Sequence, residues 1–258
     1  MTKAAAFFDL DKTIIATSAS AALSRPFFDG GLVGRMDVLK SAYAHFLFTL
    51  GSADAEQTER MRKHLSELVT GWEVAKVREI VAETVRDVID PYVYQEAVDL
   101  ITEHHELGHD VVIVSASGVE LVEPIAAMLG ADHTIATKMT VKDGKYTGEI
   151  EFYNYGENKA VAIKELAERH GYNLARCYAY TDSITDAPML DAVGHGFAVN
   201  PDRAMRKIAA EHGWGALTFM RPVTLKAPRP PRQVLIAAAV LACTGIGYAL
   251  GRLAKARR

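Results

Sequence analysis

Cysteine is nearly missing from this chain. Cys177 and Cys243 are the only two in 258 residues, one on an expected buried strand and one in an apolar tail. That excludes a disulfide framework and points to a reducing compartment. An excess of positive charge is missing as well, and a formal net charge of -3 argues against a nucleic-acid-binding body, which must neutralise phosphates. No internal repeat and no long low-complexity segment occurs, so neither a solenoid nor a disordered array is indicated. Met1 to Ala6 is short and runs straight into a polar motif. With no leader ahead of it, the large domain is expected in the cytoplasm. The nine histidines include His104, His105 and His109 near a helix end, where solvation at the terminus is expected ahead of metal ligation.

What is present begins at the N-terminus. Ala4-Ala5-Ala6-Phe7-Phe8 is a short apolar run of the kind that forms a central parallel strand covered on both faces. It is followed at once by Asp9-Leu10-Asp11-Lys12-Thr13. In open α/β sheets, groups that follow a strand's carboxyl end meet ligand and solvent. Two carboxylates this close cannot both ionise easily, so one suits a nucleophile or metal ligand and the other a proton donor. The same residues also suit an acidic turn that caps a helix, and the stretch alone leaves both readings open.

The arrangement recurs. Val111-Val112-Ile113-Val114 ends in Ser115-Ala116-Ser117-Gly118, and Cys177-Tyr178-Ala179-Tyr180 ends in Thr181-Asp182-Ser183-Ile184-Thr185-Asp186. Between them Asn158-Lys159 opens a helical pattern through Ala167. The helix dipole disfavours a cation in a first turn, so Lys159 suggests an anion nearby.

On these residues the chain resembles the haloacid dehalogenase superfamily of phosphohydrolases, in the branch that includes phosphoserine phosphatases. The resemblance covers roughly residues 4 to 220. It implies Asp9 as nucleophile and Asp11 as general acid and base, with Ser115 and Lys159 binding the phosphoryl oxygens. It further implies Mg²⁺ held by the Asp9 side chain, the Asp11 backbone carbonyl and Asp182, with Asp186 orienting the metal ligands or Lys159. Asp186 could instead cap a helix ahead of Pro188. The expected activity is hydrolysis of a small phosphomonoester or lipid-linked phosphate through an aspartyl-phosphate. Two alternatives stay open, a tethered regulatory protein that keeps the fold, and a phosphotransferase.

The fold expected is α/β, a doubly wound, mostly parallel Rossmann-like sheet with an inserted helical cap and a C-terminal apolar helix. The core would comprise residues 1–16 and 91–220 and the cap 17–90, read as helices over Ala19–Phe28, Leu32–Leu50, Ala55–Leu68 and Glu73–Val88. Ile135–Thr140 and Tyr146–Phe152 read as a hairpin around Asp143-Gly144.

Two departures bear on substrate. Phosphoserine phosphatases keep a Glu shortly after the first motif to hold the substrate ammonium, whereas Ser18 and its neighbours offer no carboxylate. Ala116-Ser117 also stands where that branch has glycines. Phosphoserine is therefore disfavoured.

Past a linker at 221–233 rich in Pro and Arg, residues 234–251 carry no charge over about 18 positions, roughly 27 Å of helix. This reads as a membrane anchor. The basic tail at 252–258 would meet anionic headgroups. Gly247 and Gly251 would permit close helix pairing and a homodimer. The expected location is the cell membrane with a cytoplasmic catalytic domain, or alternatively the cytoplasm.

Overall fold

The computed structural model describes residues 3–34, 63 and 66–222. Among them, seven strands form one sheet in the order β4-β3-β2-β1-β5-β6-β7. These are β1 (Ala5–Phe8), β2 (Asp110–Gly118), β3 (His133–Lys142), β4 (Lys145–Phe152), β5 (Tyr178–Thr181), β6 (His195–Val199) and β7 (Gly215–Leu217). Every neighbouring pair is parallel except β3 and β4. The mostly parallel α/β sheet expected from the sequence is thus what forms.

The chain's first strand lies at the sheet's centre because all four of its residues are apolar and buried. Only a strand covered on both faces can accept such a sequence. Ala5 and Phe7 join a core with Val112, Val114, Ile163 and Leu190. Phe8 points to the other face and stacks on Tyr180, ring centroids 4.4 Å apart. Parallel pairing sets Phe8 beside Ile113 of β2 and beside Tyr180 of β5. The polar residues that follow each strand therefore emerge together.

The helices whose bounds fall among the described residues are α1 (Ala19–Ala22), α2 (Ser24–Asp29), α3 (Val74–Ile89), α4 (Gln95–Glu106), α5 (Val119–Leu129), α6 (Glu157–His170), α7 (Ala187–Asp191) and α8 (Arg203–His212). The single helix read over Ala19–Phe28 is two. Ser24 donates its hydroxyl to the Ala21 carbonyl at 2.7 Å, and Pro26 has no N–H to offer Ala22, so the ladder breaks near Leu23. Helix α3 buries Val77, Ile80, Val81, Val85 and Ile89 on one face. It lies close to α2 because Gly30 has no side chain; a Cβ there would approach Ile80 Cδ1 to 2.4 Å.

The hairpin forms as read, with Asp143 at φ 50° and Gly144 at φ 74°, the left-handed pair that a tight two-residue turn requires. Its tip receives the Val74 N–H on the Gly144 carbonyl at 3.0 Å, which ties it to the start of α3.

The helix read over Leu32–Leu50 falls almost entirely outside the described residues, and the one over Ala55–Leu68 is described only in part. The linker beyond Pro222, the apolar segment 234–251 with Cys243, Gly247 and Gly251, and the basic tail also lie outside them. Among the described residues no helix is long and apolar enough to cross a membrane.

The solvation expected for the histidine group does not hold at His104. Helix α4 turns this residue onto the sheet, where it is 3% exposed. Its Nε2 meets the Tyr180 hydroxyl at 2.8 Å and its Nδ1 meets His109 Nδ1 at 3.0 Å.

Candidate active site

Asp9 follows β1, Ser115 stands near the end of β2, and Asp182 follows β5. Because these three strands are adjacent and parallel, all three residues reach one edge of the sheet. The Asp9 N–H still bonds the Tyr180 carbonyl, at 2.9 Å, so its backbone is fixed by the ladder.

Lys159 enters from the first turn of α6. It is 2% exposed, and its Nζ lies 2.7 Å from Asp9 Oδ1 and 2.7 Å from Asp186 Oδ2. Asp186 occupies the N-cap position of α7, yet its side chain makes no cap bond. Its carboxylate instead takes Lys159 and, at 2.8 Å, the Thr181 hydroxyl. The anion that the placement of Lys159 implied is this pair of carboxylates.

Thr13, fully buried, joins the first and last loops. Its Oγ1 lies 3.3 Å from Asp9 Oδ2 and 3.4 Å from Asp182 Oδ1, and it accepts the Asp182 N–H at 3.0 Å. Between Asp11 and Thr13, Lys12 adopts φ 60°, a left-handed conformation costly for a residue with a side chain.

Asp11 is held at both oxygens. Oδ1 accepts the Ala19 N–H at the start of α1 at 2.7 Å, and Oδ2 accepts the Ser117 hydroxyl at 3.0 Å. Ser18 is occupied in capping α1, its side chain accepting from Ala21 N at 3.3 Å. Ser115 is fully buried, and its Oγ accepts the Ser117 N–H at 3.1 Å. That leaves the Ser115 proton to donate elsewhere.

The charges do not balance inside the protein. Burial pushes Asp9 up to about 8, against the pull of Lys159, and the neighbouring Asp186, Asp11 and Asp182 add to the rise. Asp182 is pushed up to about 6, again mainly by burial. Burial also raises Asp11, opposed by its bonds from Ala19 N–H and Ser117. For Lys159, burial alone would pull it down, but Asp9 and Asp186 outweigh it and hold the ammonium above its ordinary range. Of these carboxyl groups only Asp9 and Asp186 contact the buried ammonium, while Asp11 and Asp182 stand close enough to raise Asp9, so the site's carboxyl groups outnumber its buried cation. The donors are all oxygens, with no His or Cys among them, which suits a hard divalent cation.

A second group of candidate metal ligands, Asp110, His133 and His170, has its ligand atoms within 4.8 Å of one another. Asp110 opens β2 and His133 opens β3, so this group stands at the amino ends of those strands, away from the site. Asp110 Oδ2 is already taken by Lys3 at 2.5 Å and by the Tyr172 hydroxyl at 2.5 Å.

The sequence profile of haloacid dehalogenase-like hydrolases matches residues 6–191. The chain belongs to this family. It is 57% identical over 244 residues to a Mycobacterium tuberculosis protein named probable phosphatase Rv3661, covering 95% of this chain and 85% of the other. It is 32% identical over 257 residues to the phosphoserine phosphatase SerB1 of the same species, covering 99% of this chain and 81% of that one. Among solved structures, a protein of unknown function from Bordetella pertussis Tohama I matches with a TM-score of 0.73 at 29% identity, covering 84% of this chain and 99% of the other. This haloacid dehalogenase-like hydrolase is therefore a phosphatase.

Within the haloacid dehalogenase site, sequence reasoning missed the residues that hold the named ones in place. Thr13 ended the first motif without a role, and Thr181 was read only as the first of the polar residues that end the Cys177–Tyr180 run. Asn154 carried no signal at all. It is fully buried, and its Nδ2 donates to the carbonyls of Ser115 and Ile135 at 2.9 Å each, fixing the end of β2. The Asn154 Oδ1 has no hydrogen-bond partner.

Proposed function

We propose that the chain is a Mg²⁺-dependent phosphomonoesterase that passes the phosphoryl group through Asp9. The observation that carries this reading is the clamping of buried Lys159 between Asp9 and Asp186, beside a second carboxyl, Asp11, held by hydrogen bonds alone. One carboxylate faces a cation and the other does not, which suits nucleophile and acid respectively.

In the first step an Asp9 carboxylate oxygen attacks phosphorus and the ester P–O bond breaks. The departing alkoxide takes the proton of the Asp11 carboxylic acid. In the second, Asp11, now a carboxylate, takes a proton from water as the water oxygen attacks phosphorus. The acyl phosphate bond breaks, inorganic phosphate leaves, and Asp9 is restored. Ser115 would donate its hydroxyl to one phosphoryl oxygen while Lys159 offers charge to another. The Asp9 and Asp182 carboxylates and the Asp11 carbonyl would hold Mg²⁺, which when bound neutralises the charge of nucleophile and phosphate together.

The substrate class we infer is a small phosphomonoester or a lipid-linked phosphate. Phosphoserine is disfavoured because no carboxylate follows the first motif to take an ammonium group, and Ser18 is engaged in capping α1. Residues 17–90 would act as a cap that excludes water from the site. Residues 234–251 would anchor the protein in the cell membrane with the catalytic part in the cytoplasm, and Gly247 and Gly251 would allow pairing of two anchors.

The test is hydrolysis of 4-nitrophenyl phosphate by the full chain with Mg²⁺, with chelator, and as the Asp9→Asn variant. Turnover that needs both the metal and Asp9 is expected. Undiminished turnover by folded Asp9→Asn would overturn the covalent route.

A further inference from the structure

Ser117 belongs to no motif of the site, and it stands where glycine is expected in the phosphoserine branch. It is partly buried at the end of β2, and it uses both of its donors inside the site. Its backbone N–H goes to Ser115 Oγ at 3.1 Å. Its hydroxyl goes to Asp11 Oδ2 at 3.0 Å, across 106 residues of sequence.

The contact matters because of what holds the other side of Asp11. Oδ1 is fixed by the Ala19 N–H, which belongs to the chain leaving β1. With Oδ2 fixed from β2, the carboxyl plane is held from two directions. A carboxyl group held at one oxygen only can still swing about its terminal torsion, which is broad for Asp. Each oxygen keeps a further lone pair, so the two bonds orient the group without exhausting it.

We propose that Ser117 is a positioning residue for the proton transfer, its hydroxyl holding the Asp11 carboxyl in the orientation from which the departing alcohol is protonated. The inference rests on the reading of Asp11 as general acid. As the ester P–O bond breaks and the Asp11 proton moves to the leaving oxygen, negative charge appears on the Asp11 carboxyl. The Ser117 O–H donates to that charge, and a hydrogen bond to an ionised acceptor is stronger than one to a neutral one. The contribution is therefore largest where the leaving group most needs a proton. Glycine at this position keeps the N–H to Ser115 but loses the bond to Asp11, so the residue separates phosphate binding from leaving-group protonation.

The experiment compares kcat/KM of the full chain with Mg²⁺ for phenyl phosphate and for 4-nitrophenyl phosphate, whose leaving group is far less basic. Wild type, Ser117→Ala, Ser117→Thr, Asp11→Asn and the Asp11→Asn/Ser117→Ala double variant are measured side by side. The expected result is that Ser117→Ala lowers the phenyl to 4-nitrophenyl ratio about tenfold, a fraction of the roughly 100- to 10,000-fold that a general acid contributes, because Asp11 itself remains. Ser117→Thr, which keeps a hydroxyl, restores the ratio, and Ser117→Ala adds no further ratio change on top of Asp11→Asn. Equal losses on both esters, or additive ratio changes in the double variant, would overturn the proposal, since a merely structural residue behaves that way. If Asp11→Asn is leaving-group selective while Ser117→Ala is not, this inference alone fails. If Asp11→Asn shows no selectivity, the assignment of Asp11 as the acid fails with it.

Discussion

Lys159 stands in the first turn of α6, where the helix dipole opposes it, with Asp9 and Asp186 each 2.7 Å from its ammonium. Removing one partner of such a buried set leaves charge without compensation, at a cost of about 3–5 kcal/mol. Lys159→Met is therefore expected to lower the melting temperature as well as abolish turnover, measured by calorimetry and by hydrolysis of 4-nitrophenyl phosphate. Asp186→Asn should keep the fold and the bond from Thr181 yet lose about 10- to 100-fold in activity, as orienting partners of a metal centre do. Asn154→Ala removes the two bonds to the Ser115 and Ile135 carbonyls inside the protein and should cost about 2–3 kcal/mol in denaturant unfolding. The residues named from the sequence share one trait: each stands where an apolar run gives way to polar residues or where a helix opens, so its place could be inferred from its neighbours. Asn154 and Ser117 act through partners in distant segments, and nothing local to them records that; Thr181 acts on Asp186 only five residues on, through a turn whose geometry the residue order does not show.

At the scale of elements, α4 presses His104 against Phe8, Tyr180 and His109, and burial first, with help from His109 and His105, pulls its pKa down to about 4. In the folded protein this imidazole is thus neutral at pH values where the unfolded chain, titrating near the ordinary 6.5, takes a proton. Between those limits the unfolded state binds more protons, so stability is full above about 6.5 and falls as the pH drops towards 4, by as much as about 3 kcal/mol. The melting temperature of the wild type should therefore fall with pH across that window more steeply than that of His104→Phe. Parallel slopes for the two would remove His104 as the cause.

Elements also mark where the sequence was legible. Strands β1, β2 and β5 announce themselves as apolar runs ending in polar residues, and the β3–β4 hairpin by its Asp-Gly turn. Helix α3 shows its buried face in the spacing of Val74, Val77, Ile80, Val81 and Val85, whereas the helix read as far as Val88 runs one residue further and buries Ile89 at its end. Strand β6 does not announce itself, because it opens His195-Gly196 and has little β propensity. Gly196 is there for packing, since a Cβ would come within 2.8 Å of Trp214 Cδ1, a contact between segments invisible in a one-dimensional pattern. The break between α1 and α2 is signalled by Ser24 and Pro26, which a reading of one helix over Ala19–Phe28 passes over.

For the whole molecule, the sheet order is the feature that makes a site, since it places the ends of β2, β1 and β5 side by side and brings carboxylates, hydroxyl and ammonium from four segments of chain to one edge. The proposed anchor predicts that the full chain sediments with membranes and resists extraction by alkaline carbonate, while a chain ending at Pro222 does not. Recovery of the full chain in the soluble fraction would contradict it.

The proposed route carries phosphate on Asp9. Its most direct test is to acid-quench the full chain during turnover of a radiolabelled phosphomonoester with Mg²⁺ and map any covalent label by mass spectrometry. A hydroxylamine-labile phosphoryl group on Asp9 that is absent from Asp9→Asn is expected, whereas steady turnover with no label, or label on another residue, would rule the Asp9 route out.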